Sequence, residues 1–429
     1  MNIQKIAYWS VLAFILTLPV EGTLRIPFFG RVSQAMGFVL AVVWIIAVTK
    51  RGGLRRLHIF HGALALFLLW SGLTLFWSVD AHISIKGFIT QAQILGMLVI
   101  VWDVLRTRAQ VEAALQAYVV GAYLAAAGII STFVTSPEPE YAAHRRYSLG
   151  TFEVDGIALI LALGIPAAWY LAIHQGRWHQ GLVMRLGNFA YLPAAAFAMA
   201  LTGTRGAAVA SIPSAIFVIW SIWRSTGRTR VVAATAIGVA AVLVIAFAPP
   251  ELLGRIGSAA DNLTAAGDRS ETIWTRSFQV FHENPIAGVG LDVHRQAVPI
   301  GFHITEGVAH SSFGKEAHNT LISILVETGL IGLLLFGGAT FLLVREVARL
   351  RGPDARYWIC QLAVIAIDSQ TLSLEDSKAV WLFLGLAVTA AVAKVPRAVA
   401  ASSGAVSSPA VAPLRRNGVW APPRVTHSR

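Results

Sequence analysis

The hydrophobic pattern is a succession of apolar runs of about 17 to 25 residues, the length that carries a helix across a hydrocarbon core of about 30 Å. Their cores lie near 7–22, 32–49, 58–76, 88–105, 113–134, 155–174, 188–202, 206–222, 231–248, 319–343, 357–372 and 379–393. About twelve transmembrane helices are predicted. Between the ninth and tenth runs the pattern changes. Residues 249–317 are polar and turn-rich, and the chain then re-enters an apolar span as AHNTLISILVETGLIG (317–332). The expected fold is an all-α polytopic membrane protein. Residues 1–248 would hold spans 1–9, residues 249–317 a loop domain with short helices, and residues 318–394 spans 10–12. Residues 395–429, rich in Ala, Pro, Ser and Val, read as a disordered tail. The first run is followed by no small-residue cleavage site and is expected to stay as an anchor.

Composition agrees with this class, at 56% hydrophobic and only 13% charged, too little charge for a soluble surface. An even number of spans puts both termini on one side. With the N-terminus cytoplasmic, 22 of the 34 Lys and Arg fall in inside segments and 12 outside, the bias of the positive-inside rule. The polar loop is then periplasmic or extracellular, and the net charge of +12 is mostly a topology signal. No clustered basic and aromatic surface points to nucleic acid. Cys360 sits in an apolar stretch and reads as a small buried residue.

Basic residues on the outer side are what the bias leaves over: Arg145, Arg146, Arg205 and the arginines of the loop. Arg205 lies in TGTRG (202–206), where two glycines three apart reverse the chain at the membrane face. A buried arginine costs about 2.5 kcal/mol or more near a bilayer centre and calls for an anionic partner. Headgroups, a carboxylate or a substrate phosphate would each serve.

Within the loop, Asp268 and Glu271 form a capping box that predicts a helix from Arg269. On it Arg269 and Arg276, seven residues apart, share one face. Trp274, Phe278 and Phe281 share the other, to pack on the spans or in the lipid interface. Arg269 sits at the positive end of the helix dipole, where an anion gains about 0.3–1 kcal/mol, and guanidinium forks match phosphate oxygens. The loop also holds eight acidic residues against five Lys and Arg, so internal salt bridges compete for these arginines. His318 precedes Asn319, a natural cap for the next span. That places an imidazole at the bundle mouth, suited to taking a proton from a hydroxyl or to meeting a lipid headgroup. Glu327, a carboxylate inside an apolar span, is expected to be functional or buried in the bundle. It lies about 13 Å along the helix from His318.

Other chemistry finds no motif. His294, His303, His310 and His318 are spaced by nine, seven and eight residues, which is no metal-ligand signature. GVG at 288–290 follows a helix, lacks a third glycine, and reads as a turn. With no nucleotide loop and no nucleophile elbow, any bond made must draw on energy stored in the substrate. Neither metal nor cofactor is expected.

GDRSETIW (267–274), HENPIAGVG (282–290) and AHNTLISILVETGLIG (317–332), with TGTRG upstream, together resemble the signature region of the O-antigen ligase and polymerase superfamily, which includes O-linked oligosaccharyltransferases. The resemblance implies a GT-C-like membrane glycosyltransferase of the bacterial inner membrane, acting at the periplasmic side with both termini cytoplasmic. Its donor would be a glycan on undecaprenyl diphosphate, and its acceptor the lipid A-core oligosaccharide of lipopolysaccharide. It also implies donor diphosphate contacts from Arg205 and Arg269, with Arg276 and Arg145 as further candidates, and an essential His318 as base. Asn319, Glu327 and Trp274 are expected to support them. One large outer loop and about 430 residues favour the ligase over the polymerase or the protein transferase. A non-enzymatic lipid or glycan transporter using Arg205 and Glu327 is the remaining alternative. Its marks would be discontinuous helices or an inverted repeat, and the sequence displays neither.

Overall fold

The computed structural model describes residues 2–23, 25–27, 30–135, 146–174, 181–257, 273–298, 301–305, 308–312, 314 and 316–393. The predicted tail, within a separate unit Lys394–Arg429, lies outside the described residues. The chain is an all-α polytopic membrane protein. Among the described residues, ten helical segments are long and apolar enough to cross a membrane: Ile3–Val20, Val32–Arg51, Ile59–Phe76, Ala81–Val104, Arg108–Thr135, Val154–Ile173, Leu182–Thr202, Arg205–Trp223, Gly227–Phe247 and Thr320–Ala348. Gly352–Asp368 and Lys378–Val392, of 17 and 15 residues, stand where the last two spans were expected but are shorter than these ten.

Local chemistry sets the helix ends. Asn2 Oδ1 accepts from the amide of Gln4, and Asp80 Oδ1 from those of His82 and Ile83, so each helix begins on a side-chain cap. Gly52 (φ 82) and Gly203 (φ 58) end their helices in the left-handed conformation that only glycine adopts cheaply. Burial sorts the spans. The most apolar window of Val154–Ile173 is 89% buried, whereas those of Val32–Arg51 and Gly227–Phe247 are 17% buried. The first is the central helix, and the other two expose Phe38, Ile45, Val242 and Ile245 as lipid-facing surface.

Because successive spans alternate in direction, the segments near 18–31, 74–81, 146–154, 202–205, 249–319 and 369–377 share one face, here the loop face. Cross-links confirm it: Lys378 Nζ bonds Glu21 at 2.8 Å, and the Val79 amide donates to Val289 O at 3.0 Å. The loop contains the short helices Pro250–Gly257, Thr275–Glu283 and His294–Ala297. It also contains an antiparallel hairpin, Gly301–Thr305 with Val308–Ser312, which the sequence reading did not anticipate. A smaller one pairs Arg25–Ile26 with Gly30–Arg31.

Thr320–Ala348 is broken at Gly329 (φ 66, ψ −169). The freed backbone groups are taken up by NPIAGVG of the loop, the segment read as a plain turn. Val326 O and Glu327 O accept from the amides of Val289 and Gly290, each at 3.0 Å, and Thr328 O accepts from Trp70 Nε1 at 2.8 Å. The amides of Leu330 and Ile331 donate to Pro285 O and Ile286 O. A helix can be interrupted at membrane depth when protein satisfies its backbone in this way. Gly288 is required there, at φ 69 with Glu327 O only 2.4 Å from where a Cβ would sit. The loop is thus spliced into the bundle. Val289, Val293, Val298, Ala317, Ile322 and Val326 form a small core beneath it.

Candidate functional site

Arg205 opens the helix Arg205–Ala210, directly after the Gly203 reversal and Thr204. It is half-buried, and its Nε is enclosed with no hydrogen-bond partner among the described residues. Its neighbour Arg146 is differently placed. That guanidinium bonds Asp155 closely, donates to Thr202 O at 2.8 Å and reaches Thr204 Oγ1 at 2.9 Å. Arg146 therefore ties the loop before Val154–Ile173 to the reversal and leaves Arg205 without that carboxylate. Gly206, expected to help the chain reverse, has another use. A Cβ there would stand 2.6 Å from Thr371 Oγ1, so glycine lets the 369–374 turn lie against the first turn of the Arg205 helix.

The far side of the same turn holds the His318 segment. Ser369 O accepts from the Thr320 amide at 2.8 Å, and Leu372 O from Thr320 Oγ1 at 2.9 Å. Asn319 Nδ2 donates to Gln370 Oε1 at 3.2 Å. Asn319 is also the predicted cap, its Oδ1 accepting from the amides of Leu321 and Ile322 at 3.0 and 3.1 Å. His318 is half-buried and holds φ 48, a left-handed conformation uncommon for a side chain other than glycine and concentrated at functional positions. Tertiary structure thus brings Arg205 and His318 onto two shoulders of one turn.

Trp274 pins the loop helix to this segment, its Nε1 donating to Ala317 O at 3.0 Å. Trp274 and Phe281 pack on the small loop core, while Phe278 stays 43% exposed. Arg276 is exposed on the same helix. Arg269 and Arg145 lie outside the described residues, as does the capping box expected to start this helix at Arg269. Glu327 is buried and bonds the loop. Its Oε1 accepts from the His294 amide at 3.3 Å, and His294 Nε2 meets Ser277 Oγ at 2.9 Å.

Carboxylates near His318 escaped the sequence reading. Ser323 Oγ stands 2.5 Å from Glu375 Oε1 and 3.3 Å from Glu327 Oε1, while Glu375 Oε2 is enclosed without a partner among the described residues. Burial pushes the Glu375 carboxyl up to about 7, with Glu316 and Asp292 adding to the rise. Burial and Glu316 push Asp292 up to about 6, and burial likewise raises Asp376. Asp368, at the start of the 369–374 turn, is fully buried. The available signal was a short loop, SLEDSK (373–378), on the loop face. Among the described residues, no three His, Cys, Asp or Glu are grouped as metal ligands. The 369–374 turn thus contacts both Gly206, next to Arg205, and Asn319 and Thr320, next to His318.

No curated protein matches the chain closely enough to count as a relative. Residues 190–337, which take in Arg205, the polar loop, His318 and the Gly329 break, match the family model described as O-Antigen ligase.

Proposed function

We propose that this protein is the ligase of its superfamily, moving a glycan from undecaprenyl diphosphate to a hydroxyl of lipid A-core oligosaccharide at the periplasmic side of the bacterial inner membrane. The observation that supports the reading is the half-buried Arg205, its Nε without a partner among the described residues, beside the 369–374 turn that also bonds the segment after His318. In this reading Arg205, with Arg269, Arg276 and Arg145 as further contacts, neutralises the donor diphosphate. The acceptor oxygen attacks the anomeric carbon as its proton passes to His318. The bond from that carbon to the diphosphate breaks, and undecaprenyl diphosphate leaves with the electron pair. Attack opposite the leaving group inverts the anomeric centre. The donor is already activated, so neither nucleotide nor metal enters the scheme. Arginines already in place stabilise the leaving charge without reorganisation, and losing one such contact costs about 10²- to 10³-fold in rate.

The broken helix at Gly329 is the feature that favours a transporter. Its freed carbonyls and amides, however, are occupied by NPIAGVG and Trp70, so they offer no open ion or substrate site. One assay separates the readings. Purified protein receives a polyprenyl diphosphate glycan together with lipid A-core, with donor alone, or with an acceptor protein. Extension of lipid A-core is expected. Lengthening of the donor glycan would name a polymerase, modified protein a protein transferase, and movement across sealed vesicles without a new bond a transporter.

A further inference from the structure

On the face opposite the loop, a cleft of about 440 Å³ opens between the ends of Val154–Ile173, Leu182–Thr202, Ile212–Trp223, Gly227–Phe247 and Gly352–Asp368. Three guanidiniums line it: Arg185, Arg224 and Arg356. Several other basic residues of this face are paired with carboxylates. Arg51 and Arg106 pair with Asp103, Arg108 with Asp354, and Arg345 and Arg349 with Glu346. Arg224 and Arg356 instead lie over Trp220, 4.4 and 4.5 Å from its ring centroid, and among the described residues no carboxylate lines the cleft.

Stacking on the ring leaves the in-plane N–H groups of both guanidiniums free to bond. Two guanidiniums with no carboxylate beside them favour a bound anion. The remaining walls name the anion. Ser225, Thr226 and Thr229 add hydroxyls, and Ile173 and Phe217 add an apolar side. We propose that this cleft binds the phosphate headgroup of an anionic phospholipid, with Arg224 and Arg356 gripping the phosphate and an acyl chain following the apolar wall. Basic pockets between membrane helices recognise such headgroups.

The test uses the full chain in neutral detergent, with retention of added lipid read by native mass spectrometry and protection read by thermal melting. Phosphatidylglycerol should be retained and should raise the melting temperature, whereas phosphatidylcholine and inorganic phosphate should not. The double variant Arg224→Gln, Arg356→Gln should bind phosphatidylglycerol about 10- to 30-fold more weakly. Lys5→Gln with Lys50→Gln, removing the same charge from exposed positions of this face, should bind as the parent does. Equal retention of phosphatidylcholine, equal protection by inorganic phosphate, or equal loss in both double variants would overturn the assignment. The lipid comparison on the parent chain stands whether or not a variant folds.

Discussion

His318 combines two properties that substitution can separate: an imidazole beside the turn and a backbone at φ 48. Glycine adopts that conformation without strain. His318→Gly is therefore expected to melt at or above the parent temperature while losing about 10²- to 10⁴-fold of transfer. Activity near the parent level in the well-folded variant would remove His318 from the chemistry. The buried carboxylates make a second prediction. Asp292 and Glu375 ordinarily titrate at 3.8 and 4.5 and are raised to about 6 and 7 in the fold. The folded state thus binds more protons than the unfolded one, and stability falls as pH rises from about 4 to about 7. Melting temperature should be higher at pH 5 than at pH 8, and Glu375→Gln should flatten part of that slope. A parent melting temperature that rises over the same interval would contradict it. None of these carboxylates stood out in the sequence, because an Asp or Glu in a short loop reads as solvated until its neighbours are known.

Among the elements, the 369–374 turn and the NPIAGVG segment decide how the site is assembled. Gly206→Ala puts a methyl 2.6 Å from Thr371 Oγ1 and should displace the turn. Transfer is expected to fall about tenfold or more, since a shift of about 1 Å in a positioned group costs about 10²-fold. The second change Thr371→Ala, which clears the space, should restore much of it. No rescue by Thr371→Ala would show that the contact does not set the site. Gly288→Ala meets both a positive φ and the Glu327 carbonyl at 2.4 Å, so it should lower the melting temperature by several degrees or abolish folding. Parent-like melting would mean that the loop is not spliced to the broken helix as described. The caps were legible, Asn319 above all, because a cap is a contact between residues two or three apart. The helix break was not legible. Gly329 in an apolar run is ordinary in membrane helices, and its partners lie about forty residues upstream.

Among the described residues, the loop face of the bundle carries the candidate site and the opposite face most of the basic residues. A cysteine at Gln279, exposed on the loop helix Thr275–Glu283, in a Cys360→Ala background tests the proposed sidedness. A membrane-impermeant maleimide added to cells with a permeabilised outer membrane should label it. Labelling only after the inner membrane is broken would reverse the topology and the side of the donor.

Length and apolarity alone determined that this is a helical membrane protein with one polar loop, because the cost of leaving backbone groups unpaired in hydrocarbon leaves few alternatives. Short-range chemistry likewise determined the Asn319 cap, the reversal before Arg205, and the candidacy of Arg205 and His318. Only the tertiary structure decided that these two flank one turn, that Arg146 takes Asp155 and leaves Arg205 without it, and that Glu327 bonds the loop. Those outcomes depend on hydrogen bonds and close approaches between residues tens to hundreds of positions apart, which no local pattern encodes.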